Sequence, residues 1–292
     1  MQDMLKPPDF LNIVFHSVDT KGNDVGLCVG FERGEWRKNA LVEHVMEWLP
    51  EFALPYDELQ SIGYHNAQRM VRRAANAVYK TEKYGNRGEF GEILLHIAIR
   101  QIFSTIPAVS KIYYKSGVNE TVKGFDAVHV VDTGDELELW IGETKFYSEV
   151  GRAIRDVCDE IIDHLKTDYL RNEFLLIANK IDSSWPHAIS LKKLIDENTS
   201  LDEIFSRAAI PILLTYDSSV VKGSSIADHD YLENIKTELT SAYTKLRKRL
   251  DDEHVKTFGT PLDITVHIIL LPLKDKAELT TALNQRLKEL QG

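Results

Sequence analysis

Residues 124–145 read GFDAVHVVDTGDELELWIGETK, and their pattern is that of a β-hairpin. Two runs rich in β-branched and aromatic residues, 124–131 and 136–145, flank the turn Asp132-Thr133-Gly134-Asp135. With Thr133-Gly134 as a two-residue loop, Asp132 pairs with Asp135 and Asp126 falls opposite Ile141. Side chains alternate between faces, so Asp126, Val128 and Val130 share one face with Leu137, Leu139, Ile141, Glu143 and Lys145. That face is apolar except at one end, where Asp126, Glu143 and Lys145 gather. In this register Asp126 and Glu143 are diagonal neighbours, roughly 7–8 Å apart at the backbone. The other face carries Phe125, Ala127, His129, Val131, Glu136, Glu138, Trp140 and Thr144.

Upstream, residues 89–104 (EFGEILLHIAIRQIFS) are apolar on nearly every side, as in a helix packed into a core. Glu92 is followed by ILLHIAI, so a carboxylate is carried into an apolar layer, and it is the preferred third acid. Glu89 lies one turn earlier, where the helix dipole favours an acid in any case; it remains the alternative. His96 reads as a core histidine. Downstream, a helix is predicted over 148–169, with Ser148 as N-cap and Glu149 in its first turn. Strand and helix patterns then alternate: strand 174–179, helix 187–206, strand 210–216, helix 229–252, strand 263–271, helix 275–290. This predicts an α/β fold with at least some parallel pairing. Nearer the N-terminus a hairpin is expected from strands 10–18 and 25–31 around a turn at 19–24. Helices follow at 39–48 and 65–83, the second carrying Arg69, Arg72, Arg73, Lys80 and Lys83. Short strand material is expected at 111–115. The glycines at 85 and 88 suggest a division into an N-terminal region, 1–84, with a possible partner-docking role, and a second domain, 85–292.

The chain has 292 residues, 43% of them hydrophobic and 27% charged, a globular composition that excludes disordered and fibrous classes. Its two cysteines, Cys28 and Cys158, have no Cys or His partner at ligand spacing, which excludes a cysteine-rich zinc site. The start, MQDMLKPPDF, lacks the apolar core of a secretion signal, and no run is long enough for a membrane span, so a soluble, cytoplasmic protein is expected. The formal charge is −10, and residues 85–170 hold 9 basic and 15 acidic residues. Overall acidity argues against unaided, tight binding of nucleic acid. The acid excess around the hairpin has another use, because a bound divalent cation resolves clustered carboxylates at the end of an apolar face. Phosphodiester hydrolysis requires such a cation and a positioned group to manage the nucleophile. Asp126, Glu143 and Glu92 are the candidate metal ligands, and Lys145 the candidate for orienting water or stabilising developing charge. The bland alternative is an ion-paired hairpin end.

The order helix Glu, Gly-Phe-Asp, Glu-Thr-Lys, helix resembles the PD-(D/E)xK nuclease superfamily, with Phe125 in place of the proline of that motif. Within it, RGEFGEILLHIAI (87–99), VKGFDAVHVV (122–131) and LWIGETKFY (139–147) resemble the HamA family of Hachiman anti-phage defence effectors. The resemblance implies a restriction-endonuclease-like mixed sheet flanked by helices behind an N-terminal α+β region. It also implies a nuclease dependent on Mg2+ (or Mn2+), acting on double-stranded DNA and restrained by a HamB-like superfamily 2 helicase. Asp126, Glu143 and Lys145 match the motif directly, and Glu92 or Glu89 supplies the helix acid. A helicase partner could supply the DNA grip that an acidic subunit lacks, with Lys115, Lys123, Arg152 and Arg155 as local phosphate contacts. The rival expectation is a catalytically inactive, nuclease-like scaffold that binds DNA or the helicase.

Overall fold

The structure is a computed structural model that describes residues 6–78, 88–110, 124–134 and 136–292. Its centre is a seven-stranded mixed sheet in the order β1 (Asn12–Asp19), β2 (Gly22–Cys28), β9 (Thr265–Leu273), β8 (Ala208–Asp217), β7 (Leu137–Phe146), β6 (Ala127–Asp132), β5 (Ile106–Ser110), while β3 (Phe31–Glu32) and β4 (Glu35–Trp36) pair separately. The middle strands are β7 (Leu137–Phe146), β8 (Ala208–Asp217) and β9 (Thr265–Leu273). The β7–β8 and β8–β9 pairs are parallel. In β8 (AAIPILLTYD) all but the last residue are buried, and the apolar run AAIPILL is that of a strand covered on both faces. Antiparallel strands close both sides of the sheet: β6 (Ala127–Asp132) and β5 (Ile106–Ser110) beyond β7, and β1 (Asn12–Asp19) beyond β2 (Gly22–Cys28). The expected mixed α/β architecture, a sheet flanked by helices, is therefore present.

Residues assigned to the N-terminal region belong to this same sheet, since β2 runs parallel to β9 through Asp24↔Ile268, Val25↔Ile269 and Gly26↔Leu270. Gly22 fixes that junction. It has φ +124°, and a Cβ there would lie 2.1 Å from the Val266 carbonyl oxygen, so β1, β2 and β9 meet only around a glycine. The β1–β2 turn is tighter than its polar composition suggests, with Asp19 paired to Gly22.

Helix α5 (Glu89–Phe103) covers one face of β7 and β8, beside α1 (Lys38–Glu47) and α2 (Leu49–Ala53). On the other face α6 (Val150–His164) lies on β7 and β8 and packs against α11 (His229–Phe258). Chain-direction changes are capped locally. Asp228 and Asp275 accept hydrogen bonds from the N–H groups of Tyr231 and Glu278 at the starts of α11 and α12 (Lys276–Gln291), and Gly259 ends α11 at φ +76°.

Several expected elements differ. Residues 174–179 are not a strand: they lie in helix α7 (Thr167–Lys180), where Leu170, Glu173, Phe174 and Ile177 form the buried face. Leu175 and Leu176 face outward. The run FLLIAN is short and apolar, a pattern that fits either element until the flanking residues reveal a 3.6-residue period. The helix expected over 148–169 breaks at Lys166, whose ψ of 135° leaves the helical region, and its start is capped by Glu149 without a side-chain bond, not by Ser148. The helix expected over 187–206 is two short ones, α8 (Ala188–Leu194) and α9 (Leu201–Phe205), separated by the polar loop DENTS. Helix α4 spans Ala67–Ala77; Lys80, Lys83 and the strand material expected at 111–115 fall outside the described residues. No helix among the described residues is long and apolar enough to cross a membrane.

Candidate active site

The hairpin forms in a register two residues away from the one expected. Val128 pairs with Ile141, and Asp132 with Leu137. The loop is longer than two residues, closed by Thr133 N–H donating to Glu136 O at 3.1 Å and Gly134 N–H donating to Asp132 Oδ1 at 2.8 Å. A two-residue shift conserves side-chain parity, so the expected face survives intact. Its consequence is closer convergence. One step beyond the ladder, Asp126 donates its N–H to Gly142 O at 2.8 Å, which sets its side chain across from Glu143 instead of diagonal to it. Directly opposed residues have Cβ atoms about 4.5–5.5 Å apart. Asp126 is then fixed by its own partner strand: Oδ2 accepts the Thr144 N–H at 2.9 Å. Glu143 is fully buried and Asp126 is 7% exposed.

Helix α5 delivers the third acid. At Gly91 the helix backbone touches β7 so closely that a Cβ would lie 3.0 Å from Phe146 Cβ and 3.1 Å from Thr144 Cγ2. This contact places the next residue, Glu92, at the strand end. Glu92, Asp126, Lys145, Glu160, Arg152 and Lys276 line a polar cavity of about 450 Å³. Glu89 is half-buried one turn earlier and is not part of that wall. Glu143 lies beneath, with Oε2 at 3.9 Å from Lys145 Nζ. The four expected residues are thus gathered at one place. A second cavity, of about 180 Å³, also touches Asp126, but its walls are mainly apolar, with Phe52, Tyr56, Val109 and Trp185 among them.

Two residues join the site from α6. Glu160 forms an ion pair with Lys145, and His164 Nδ1 lies 2.9 Å from Glu143 Oε1. They are one helical turn apart, so a single face of α6 presents both to β7. The i, i+4 spacing was visible in the sequence; which face of the helix meets the strand was not. Burial alone would lower the Lys145 pKa, but the Glu143, Glu160 and Asp126 carboxylates outweigh it and hold the ammonium above its ordinary range. Lys145 is therefore a cation at neutral pH beside these carboxylates.

Of the expected phosphate contacts, Arg152 stands at the cavity wall, with its guanidinium 5.0 Å from the Tyr147 ring centroid and 3.5 Å from Asp156. Arg155 is exposed away from the wall, and Lys115 and Lys123 lie outside the described residues. His96 is in the core as expected, 2% exposed, with Nδ1 at 3.2 Å from His129 Nε2.

The donor chemistry suits a hard divalent cation: carboxylates of Asp126 and Glu92 on the wall of a polar cavity and of Glu143 beneath it, with the Lys145 ammonium beside them. Among the described residues, the trio whose ligand atoms all lie within 4.8 Å of one another is Glu143, Glu160 and His164. In that trio the acids already hold partners of their own, Lys145 for Glu160 and His164 for Glu143. The arrangement can neutralise an anion, hold a cation and activate water.

No curated protein matches the chain significantly. A sequence model of the HamA family matches residues 8–287, nearly the whole chain, and so the protein belongs to the HamA family, which gives it a role in Hachiman anti-phage defence.

Proposed function

We propose that the chain is the nuclease of its defence system, a Mg2+- or Mn2+-dependent enzyme that hydrolyses phosphodiester bonds in DNA. One observation carries this reading: Asp126 and Glu143 oppose each other across a single strand pair, with Lys145 beside them, at the polar cavity that Glu92 also lines. An ion-paired hairpin end needs no cavity and no third acid.

Asp126, Glu143 and Glu92 would hold the metal, which when bound supplies charge neutralisation for the phosphate and a lowered pKa for attacking water. Asp126 has one oxygen committed to Thr144 N–H, so its carboxylate presents a fixed orientation to the cavity. Glu143 is sealed from bulk solvent, where its charge acts at low dielectric. Lys145, held protonated by its carboxylate neighbours, stabilises charge that develops on the phosphate and orients water through its remaining N–H groups. Arg152 and Lys276 on the wall receive flanking phosphates.

The net charge of −10 bears on control. A subunit this acidic gains little from counterion release on DNA, so a superfamily 2 helicase partner of the HamB kind supplies the grip and restrains the nuclease until DNA is engaged. The test incubates the chain, alone and with its helicase, with linear and supercoiled DNA in Mg2+ or EDTA. Wild type is expected to cut in Mg2+ and not in EDTA. Asp126→Ala and Lys145→Ala are each expected to lose at least about 100-fold in rate. Cleavage that survives both substitutions overturns the assignment, and cleavage in EDTA overturns the metal.

A further inference from the structure

We infer that α6 carries a positioning pair for this site: His164 holds Glu143 in its ligating orientation and Glu160 holds Lys145. The inference rests on the nuclease reading and extends it to two residues outside the motif.

His164 is 5% exposed and its ring is clamped. It stacks on Tyr169 with centroids 4.3 Å apart and planes at 12°, and meets Phe125 edge-on at 5.0 Å. Phe125 is the residue immediately before Asp126, so the clamp is built on the same strand end as the site. A ring so fixed presents Nδ1 to Glu143 Oε1 at 2.9 Å. In this inferred arrangement Nδ1 carries the ring proton and faces the carboxylate. The grip engages Oε1 and leaves Oε2, the oxygen 3.9 Å from Lys145 Nζ, turned toward the cation. A carboxylate with several rotamers thereby loses its choice before any metal arrives. Outer contacts of this kind are worth about 10–100-fold in metal affinity.

Glu160 acts on the other member. Lys145 has four rotatable bonds, and an ammonium free to wander would sample the site only part of the time. Glu160 lines the same cavity wall and pairs with that ammonium, and Glu143 Oε2 lies 3.9 Å from it. Both carboxylates are thus near Nζ, Glu160 in the closer contact. Since Glu160 and His164 lie one turn apart, any displacement of α6 would disturb both holds together.

The two roles separate experimentally. Mn2+ binding is measured by the electron paramagnetic resonance of free Mn2+, and DNA cleavage at saturating metal is measured in parallel, on full-length chain with its helicase. His164→Gln, whose amide nitrogen mimics Nε2, is expected to weaken Mn2+ binding about 10–100-fold. His164→Asn, whose amide nitrogen mimics Nδ1, is expected to restore binding to within a few-fold of wild type. A merely structural role would not distinguish these two amides. Glu160→Gln is expected to leave Mn2+ binding within about twofold and to lower the saturated rate about tenfold or more, with Glu160→Asp recovering part of it. Unaltered Mn2+ affinity in both His164 variants, or an unaltered saturated rate in Glu160→Gln, overturns the inference while wild-type binding and cleavage stand. Wild type that binds no Mn2+, or Asp126→Ala that binds it equally well, overturns the metal reading beneath it.

Discussion

Asp126 and Glu143 oppose each other because β6 and β7 carry their acids at the same end and on the same face, and because Thr144 N–H pins Asp126 from the partner strand. That pin distinguishes charge from shape. Asp126→Asn retains an oxygen acceptor for Thr144 but removes the negative charge, so it is expected to leave thermal stability nearly unchanged and to lower the cleavage rate about 100-fold or more, measured with linear DNA in Mg2+. Glu92 and Glu89 give a sharper comparison, since both lie in the first turn of α5 and only Glu92 reaches the cavity. Glu92→Gln is expected to cost at least about tenfold in rate, and Glu89→Gln less than about twofold. The opposite order would move the helix acid one turn. At this scale the candidate site was largely legible: period-2 alternation put Asp126, Glu143 and Lys145 on one face, and the two-residue register difference did not disturb it. A one-residue difference would have turned every side chain over. Glu160 and His164 were not legible, because a helix in sequence shows its period but not the azimuth at which it meets a sheet.

Elements of the fold were readable in proportion to the length and purity of their pattern. Helices α5 and α12 and strands β8 and β9 follow long, consistent runs and appear within about two residues of where the pattern puts them, while α11 starts as expected and runs six residues beyond 252, to Phe258. Residues 174–179 show the limit. As a strand they would alternate, yet the buried positions of α7 are Leu170, Glu173, Phe174 and Ile177, while Leu175 is 62% exposed. The neighbouring apolar residues Phe174 and Leu175 are therefore expected to differ sharply. Phe174→Ala should destabilise the protein by about 3–5 kcal/mol, and Leu175→Lys by less than about 0.5 kcal/mol, both read from urea unfolding. Comparable losses at the two positions would contradict the helical face. The close contact of α5 with β7 at Gly91 belongs to this scale too. Nothing in the local pattern separates that glycine from a tolerated helix glycine, although it sets how near Glu92 comes to the strand.

Over the whole molecule the sheet ties both ends of the chain to the site: β2 from the N-terminal region lies on β9, and β9 lies on β8, the neighbour of β7. Stability of this single sheet therefore governs the site, and its buried histidines make that stability depend on pH. His44 and His267 are each lowered to about 4. Burial is the main cause for both; nearby Asp9 partly offsets it for His44, and Arg247 reinforces it for His267. Their hydrogen bonds agree with neutral rings: His44 Nε2 accepts from Trp48 Nε1 at 3.0 Å, and His267 Nδ1 accepts from Asn23 N at 3.1 Å. His129 is likewise driven well down, by burial and by the neighbouring His96 and Arg100. Well above pH 6.5 these histidines are neutral folded and unfolded, and they contribute almost no pH dependence. Below it the unfolded chain takes up protons that the folded chain refuses, so stability falls as pH falls from about 6.5 to 4, by at most about 3 kcal/mol for each of the two. Glu51 adds a second limb with the same sign. Desolvation pushes it up, but His96 and Arg100 more than compensate and hold it below its ordinary 4.5, so its contribution is present above that value and lost as pH drops through the folded one. The melting temperature is thus expected to be level between pH 7 and 8 and to decline steadily from pH 6.5 to 4.5. His267→Gln, which still offers an acceptor to Asn23, should flatten part of that decline. A melting temperature that is constant or rises as pH falls from 6.5 to 4.5 would show that these imidazoles are not held neutral in the folded sheet.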